Sequence, residues 1–215
     1  MDRDSTSKKG SHEAILNSFE KGEIDILIGT QMISKGLDYP NVTLVGILNG
    51  DAGLMHQDYN SAKVTFDLLM QASGRSGRSN DPGKVIIQVF NTEHYAIKAT
   101  LNQDYAYFYN IEMNYRNKTN YPPYSHLIEL VISDSNIERL NSSLVYLDSL
   151  TNELKYKKYR PYLMPKLKGL NRYRIILTDK DIVSLINDIS KVVDNYLKKS
   201  NLSNIKVDVD PLFLE

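Results

Sequence analysis

The chain has 215 residues, 26 Lys plus Arg against 26 Asp plus Glu, and 41% apolar residues, enough for one large or two small domains with an ordinary core. It contains no run of about 18 apolar residues that would cross a membrane, and Met1–Gly10, MDRDSTSKKG, has no apolar segment of the secretory type. Cysteine is absent, which excludes disulfides and thiolate metal sites and fits a reducing cytoplasm, and His12, His56, His94 and His126 are scattered rather than clustered as metal ligands.

The first half alternates helix and strand signals. Ser11–Lys21 carries Ile15, Leu16 and Phe19 at helical spacing, with Gly22 at the C-cap position. Ile24–Gly29 (IDILIG) and Val42–Leu48 (VTLVGIL) are short apolar runs of strand type. Ser61–Ala72 reads as a helix, and Gly83–Phe90 (GKVIIQVF) as a third strand after the turn at Asp81–Gly83. Strands separated by helices imply parallel crossovers, so this part is an α/β layer. Glu93–Asn117 reads as one helix rich in tyrosine (Tyr95, Tyr105, Tyr107, Tyr109, Tyr115), broken by Tyr121-Pro122-Pro123-Tyr124. A domain boundary is expected there, giving domains 1–120 and 121–215.

The remainder reads β-α-β-β-α-β, a small α+β layer of about 90 residues with helices on one sheet face. Its strands are expected at His126–Ser133, weakly near Arg160–Met164, at Arg172–Thr178 and at Ile205–Val209, and its helices at Ile137–Leu154 and Ile182–Lys198.

Two motifs carry chemistry. Gln71–Arg78, QASGRSGR, closes an apolar helix; Gly74 and Gly77 permit close approach of the backbone, and Arg75 and Arg78, three apart, share a helical face. Guanidinium forks match phosphate oxygens, and an arginine aimed at a transferring γ-phosphate accelerates transfer roughly a thousandfold or more. The plain alternative is a solvated helix end whose arginines favour the helix dipole. Gly29–Asp38, GTQMISKGLD, follows a strand's C-terminal end, where α/β sheets place ligands. Thr30 and Gln31 can donate to phosphate, Gly36 permits close approach, and Asp38 can accept from a ribose hydroxyl or hold a water; the alternative is an ordinary loop.

A third feature is charge placement. Lys155–Thr178 holds eight Lys or Arg (Lys155, Lys157, Lys158, Arg160, Lys166, Lys168, Arg172, Arg174) and no acid, interleaved with Tyr156, Tyr159, Tyr162 and Tyr173. Cations with stacking surfaces suit single-stranded or branched nucleic acid, the alternative being a solvated helix end and loop with inward tyrosines. The tyrosines of Tyr105–Tyr124 are expected to form an interdomain core rather than a base-stacking platform, and Tyr121–Tyr124 a rigid hinge rather than a polyproline ligand.

The order and spacing of the two motifs resemble motifs V and VI of superfamily 2 helicases. More narrowly, Ile26–Asp51, Phe66–Arg78, Gly83–Ile97 and Tyr121–Leu127 (YPPYSHL) resemble the C-terminal portion of the PriA-type primosomal replication-restart helicases, with looser similarity from about Asp2 to Val207–Pro211. The resemblance implies a partial RecA-like second helicase lobe, with its parallel sheet and helices, followed by the small C-terminal domain. It implies an ATP-dependent 3′→5′ DNA helicase that binds stalled or branched forks and restarts replication by primosome assembly. Carried over by position, Arg78 is the arginine finger, supported by Arg75 and Gln71. Gly36 and Asp38 face the nucleotide, and Thr30, Gln31 and Lys35 touch the DNA backbone or couple it to ATP. Lys166, Lys168, Arg172 and Arg174 are the DNA candidates of the small domain. Implied partners are branched and single-stranded DNA, single-stranded-DNA-binding protein and primosomal proteins, with no membrane. Two departures stand out: His56–Lys63 (HQDYNSAK) replaces the family's PDFRA-type run, and Arg160-Pro161-Tyr162 replaces a Gly-Pro element.

No G-x-x-x-x-G-K-[ST] and no D-E-x-[HD] occur in the chain; Pro82-Gly83-Lys84-Val85 lacks the final hydroxyl and opens a strand. ATP and Mg2+ are therefore expected through an upstream lobe, along with the family's zinc-binding cysteines, and the chain is expected to be a fragment of a longer protein without ATPase activity alone. The wider alternatives are another superfamily 2 DNA translocase of fork remodelling or repair, or, for the isolated chain, a DNA- and protein-binding module.

Overall fold

The structure is a computed structural model that describes residues 11–30, 42–56, 58–74 and 83–214. It is a mixed α/β protein with one parallel and one antiparallel sheet. The chain divides into two compact units, Met1–Ile111 and Glu112–Glu215.

In the first unit α1 spans Ser11–Glu20 and stops at Gly22, whose φ of +73° is the left-handed turn expected of a glycine there. Strands β1 (Leu44–Ile47) and β2 (Lys84–Ile87) pair in parallel, Leu44 opposite Lys84 and Ile47 opposite Ile87. Between them run a 3-10 turn, Ala52–Met55, and helix α2, Ser61–Ser73. Gly50 is held against the sheet: its N–H donates to the Gln88 carbonyl at 2.8 Å, and a Cβ on it would lie 2.7 Å from the Ile87 side chain. The expected strand Ile24–Gly29 is not formed. A strand exists through its neighbour's hydrogen bonds, and no described residue supplies a ladder there; Ile26 and Ile28 are exposed.

The single helix expected over Glu93–Asn117 is two helices, α3 (Tyr95–Asn102) and α4 (Tyr105–Thr119). Gln103 turns left-handed at φ +51°, and the Asp104 carboxylate accepts from the Tyr107 N–H at 2.8 Å, so Asp104 caps α4. Phe66 of α2 stacks on Phe108 of α4, with centroids 4.3 Å apart and planes 3° apart, over Ala96 and Ala99 of α3. The tyrosines of α4 do not mark its buried positions. Its buried positions are Phe108, Glu112 and Arg116, one helical face at spacing four, which leaves Tyr105, Tyr109 and Tyr115 exposed.

The second unit is built on an antiparallel sheet of β3 (His126–Asp134), β4 (Lys157–Lys158), β5 (Tyr162–Leu167), β6 (Leu170–Asp179) and β7 (Asn204–Val209). The order is β4-β6-β3-β7, with β5 also paired to β6. The two-residue β4 was not expected from the sequence; the rest follows the β-α-β-β-α-β pattern. Helices α5 (Ile137–Asn152) and α6 (Ile182–Lys198) bury Leu140, Leu147, Leu185, Ile189, Val192 and Tyr196 against Ile128, Leu130, Ile132, Ile175 and Leu177. Both helices start on caps: Asn136 accepts from Glu138 and Arg139, and Asp181 from Val183 and Ser184.

A buried latch fixes the end of β3. Asp134 receives two bonds from Arg139, at 2.5 and 2.7 Å, one from the Asn136 N–H at 2.8 Å and one from the Ser203 hydroxyl at 3.0 Å. The Ser203 N–H in turn donates to the Ser143 hydroxyl. The Arg139 fork, then the Asn136 amide and Ser203, hold the Asp134 carboxyl well below the usual carboxylate range against an opposing effect of burial. A depressed native pKa binds fewer protons than the unfolded chain, so this stability is complete above the ordinary carboxylate pKa and is lost as pH falls through the native value. Asp134→Asn is expected to cost about 2 kcal/mol at neutral pH and much less at the acid end. Urea unfolding followed by circular dichroism at several pH values measures this; an equal loss at every pH would contradict it.

Candidate nucleotide and nucleic-acid residues

Gln31, Lys35, Gly36, Asp38, Arg75 and Arg78 lie outside the described residues. Thr30 is described and exposed. So is Gln71, on the last turn of α2, whose end is closed by the Gly74 N–H donating to the Met70 carbonyl at 3.0 Å. What the first unit does define is the support beneath α2. Thr65, Phe66 and Leu69 are its buried side, and Gly50 and Asp51 lock the loop that leads into it. Asp51, just past β1, is buried, and its Oδ2 accepts from the Phe90 and Asn91 N–H groups at 2.8 and 2.9 Å, beyond the end of β2. Those amides, Asn91 foremost, hold its carboxyl below the ordinary value against the opposing effect of burial. Asp51 thus ties together the C-terminal ends of the two parallel strands, the edge where such sheets place ligands. Sequence reasoning quoted Asp51 within a motif but gave it no role; a carboxylate directly after an apolar strand was the available signal.

The second unit presents a hairpin. β5 and β6 are joined by Lys168 and Gly169, with φ of +50° and +82°, and Leu167 pairs with Leu170. Two left-handed residues give the turn whose twist matches the strands. Pro165 lies at the register shift between Met164 and Leu167, on an outer strand, where a residue without N–H is tolerated. Lys166 and Lys168 are exposed at the hairpin's end. Arg172, half-buried, donates to the Pro165 carbonyl through Nε and Nη2 at 3.3 and 3.1 Å, bracing the shift.

Arg174 departs from its expected role as a DNA contact. It is buried, 3.7 Å from the buried Glu129 carboxylate, and its guanidinium lies 5.2 Å over the Tyr162 ring. Its position on β6 explains this: it pairs with Val131 of β3 and Tyr162 of β5, so it stands mid-sheet with strands on both sides. The interleaved tyrosines are occupied as well. Tyr156 is in the core and donates to Asp188 at 2.7 Å; burial first, then that carboxylate, push its phenol up to about 12. Tyr159 stacks on Tyr121 at 5.4 Å, and Tyr173 packs against the core. Lys158 pairs with Asp148 at 2.7 Å, and Lys157 donates to the Thr119 carbonyl at 3.2 Å. The basic window therefore splits into a structural part, from Tyr156 to Tyr159 and at Arg174, and an outward part at Lys166, Lys168 and the edge of Arg172.

No group of His, Cys, Asp or Glu suited to a metal ion occurs among the described residues. No described helix is long and apolar enough to cross a membrane.

Comparison with known proteins places these features. The model of the helicase conserved C-terminal domain matches residues 3–80. The replication restart protein PriA of Bacillus subtilis (strain 168) is 39% identical over 218 residues, covering 98% of this chain and 27% of that protein. The chain matches the C-terminal portion of PriA. The PriA proteins of Chlamydia pneumoniae and Synechocystis sp. are 35% and 33% identical over 99% and 100% of the chain, covering 29% and 26% of their own lengths. The chain therefore spans more than a quarter of the length of these PriA relatives. Among solved structures, the de novo designed protein Foldit4 aligns with 40% of the chain at a TM-score of 0.34 and 10% identity, too distant to bear on the fold.

The split within the basic window has a measurable consequence. Arg174→Met removes one member of a buried charge pair and is expected to destabilise the chain by about 3 kcal/mol, while Lys168→Ala at the exposed turn changes stability by no more than about 0.5 kcal/mol. Thermal and denaturant unfolding of both variants separates the roles; a fully stable Arg174→Met would contradict the structural assignment.

Proposed function

We propose that this chain acts as the C-terminal part of an ATP-dependent DNA helicase that restarts replication at stalled or branched forks by primosome assembly in the cytoplasm. The carrying observation is the near-complete match to PriA proteins, together with GTQMISKGLD and QASGRSGR in the region that the helicase model covers. In this reading Arg78 is the arginine finger, with Arg75 and Gln71 beside it. Gly36 and Asp38 meet the nucleotide, and Thr30, Gln31 and Lys35 meet the DNA backbone. ATP and Mg2+ are held by a lobe outside this chain, and ATP supplies the energy of translocation when bound there. The position of Gln71 on α2, whose buried side packs on α4, supports a rigid mount for these groups.

Lys166, Lys168 and Arg172 are the proposed phosphate contacts of the second unit, carried on a β-hairpin. The proposed partners are branched and single-stranded DNA, single-stranded-DNA-binding protein and primosomal proteins. The PriA names and the family model support the DNA-handling part of this reading.

Binding of a fluorescent single-stranded oligonucleotide to the chain, followed by anisotropy across a salt series, tests the hairpin. Affinity is expected to fall steeply with salt. Replacing Lys166, Lys168 and Arg172 with alanine is expected to reduce the slope of log affinity against log salt by about 2, the effect of three lost phosphate contacts. An unchanged slope would remove the hairpin from the interface. The isolated chain is expected to show no DNA-stimulated ATP turnover; turnover that disappears in Arg78→Ala would overturn the assignment of ATP binding to another lobe.

A further inference from the structure

The first turns of α4 carry large rings that the core does not use. Tyr105 and Tyr109 are 63% and 48% exposed, although a tyrosine ring has the apolar bulk to be buried. They lie four apart on the helix and so share one side of it, with ring centroids 6.2 Å apart and planes 29° apart. Tyr105 also meets Phe66 of α2, the centroids 6.2 Å apart and the planes at 45°. Phe66 in turn stacks on Phe108, and Phe108 on Tyr95 at 5.8 Å. An aromatic array thus runs from the buried core of the first unit out to two exposed rings. Packing on Phe66 holds Tyr105, and no hydrogen bond ties either phenol to another described residue.

Charge decides what such rings receive. The other exposed residues of the first two turns, Ala106, Tyr107 and Asn110, are uncharged. Glu112, further along the helix, is buried and 2.6 Å from Arg116. Asp104 is engaged at the start of α4, where its carboxylate accepts from the Tyr107 N–H and the helix dipole offsets its charge. Exposed rings in a surface without excess charge of either sign suit the bases of a nucleic acid rather than its phosphates, because every base has a π-face. Those faces are accessible in a single strand, whereas a duplex stacks them on one another.

We propose that Tyr105 and Tyr109 form a base-stacking platform for single-stranded DNA, separate from the phosphate contacts of the hairpin; this rests on the DNA-handling reading of the chain. Because Tyr105 packs on Phe66, a strand seated there abuts α2, the helix whose last turn carries Gln71. The platform and the hairpin differ in their response to salt. Phosphate contacts release counterions and weaken as salt rises, whereas stacking on an aromatic ring releases none.

Anisotropy of a labelled single-stranded oligonucleotide with the chain across a salt series tests this, with circular dichroism confirming that each variant is folded. Tyr105→Leu and Tyr109→Leu are each expected to lower affinity about tenfold and to leave the slope of log affinity against log salt unchanged. Tyr105→Phe and Tyr109→Phe keep the ring and are expected to bind within about twofold of the wild type. Tyr107→Leu, two residues from either ring and so off their side of the helix, is expected to bind as the wild type does. An oligonucleotide carrying iodouracil is expected to cross-link to Tyr105 or Tyr109 on irradiation. Leucine variants that bind undiminished or that lower the salt slope, phenylalanine variants as weak as the leucine ones, or cross-links confined to other residues would overturn the platform and leave the DNA-handling reading in place. A wild-type chain that binds no oligonucleotide would overturn both.

Discussion

The second unit depends on the hydrogen bonding of β6. Its ten residues are paired to β3 along one edge and to β4 and β5 along the other. Neighbours on both sides satisfy its backbone, and the helices pack Ile175 and Leu177 into the core. That constraint makes Arg174 a structural cation rather than a surface one, opposite Glu129 and under Tyr162. The same strand begins at the hairpin turn, with Lys168 just before it and Arg172, opposite Ser133 of β3, two residues outside the buried stretch that starts at Arg174. Buried core and candidate interface thus lie on one strand and the turn that precedes it, buried from Arg174 to Thr178 and exposed at Lys168.

In the first unit the corresponding constraint is the loop between β1 and α2. Gly50 fits against Ile87 only because it lacks a side chain, and Asp51 bonds the amides that follow β2. Between them they fix where α2 begins its approach to Phe108. The stack of Phe66 on Phe108 then fixes the face of α2 that is buried, and with it the face on which Gln71 is exposed. Packing here serves orientation: Gln71 lies on a helix whose position is set by apolar contacts about a turn and a half away.

Much of this was legible in the sequence because the signals were local. Apolar spacing located α2, α5 and α6, and Gly22 marked the end of α1. Gly169 in the hairpin turn and the Asn136 and Asp181 caps are residue types that such positions favour. The failures were of context. Ile24–Gly29 has strand composition, but pairing depends on a neighbour that composition does not reveal. Asp104 was a visible cap in the middle of an otherwise continuous helical pattern and was passed over, which merged α3 with α4. The apolar bulk of the α4 tyrosines does not locate its buried positions, which are Phe108, Glu112 and Arg116. Arg174 was read as one of a run of cations, and only its register opposite Val131 shows it to be mid-sheet. The roles expected of the motif residues come from resemblance, which depends on text and spacing rather than on burial.

The match to PriA covers nearly the whole chain, and the described structure supplies the mounts: a helix leading to the arginine motif in one unit and a basic hairpin in the other. In the proposed function the arginines of this chain complete a phosphate site whose other components lie elsewhere in the protein. The most direct measurement is DNA-stimulated ATP turnover by the full-length protein carrying Arg78→Ala. The account predicts that kcat falls about a thousandfold or more while DNA affinity is retained. Turnover within a few-fold of the wild type, with the protein folded and bound to DNA, would contradict it.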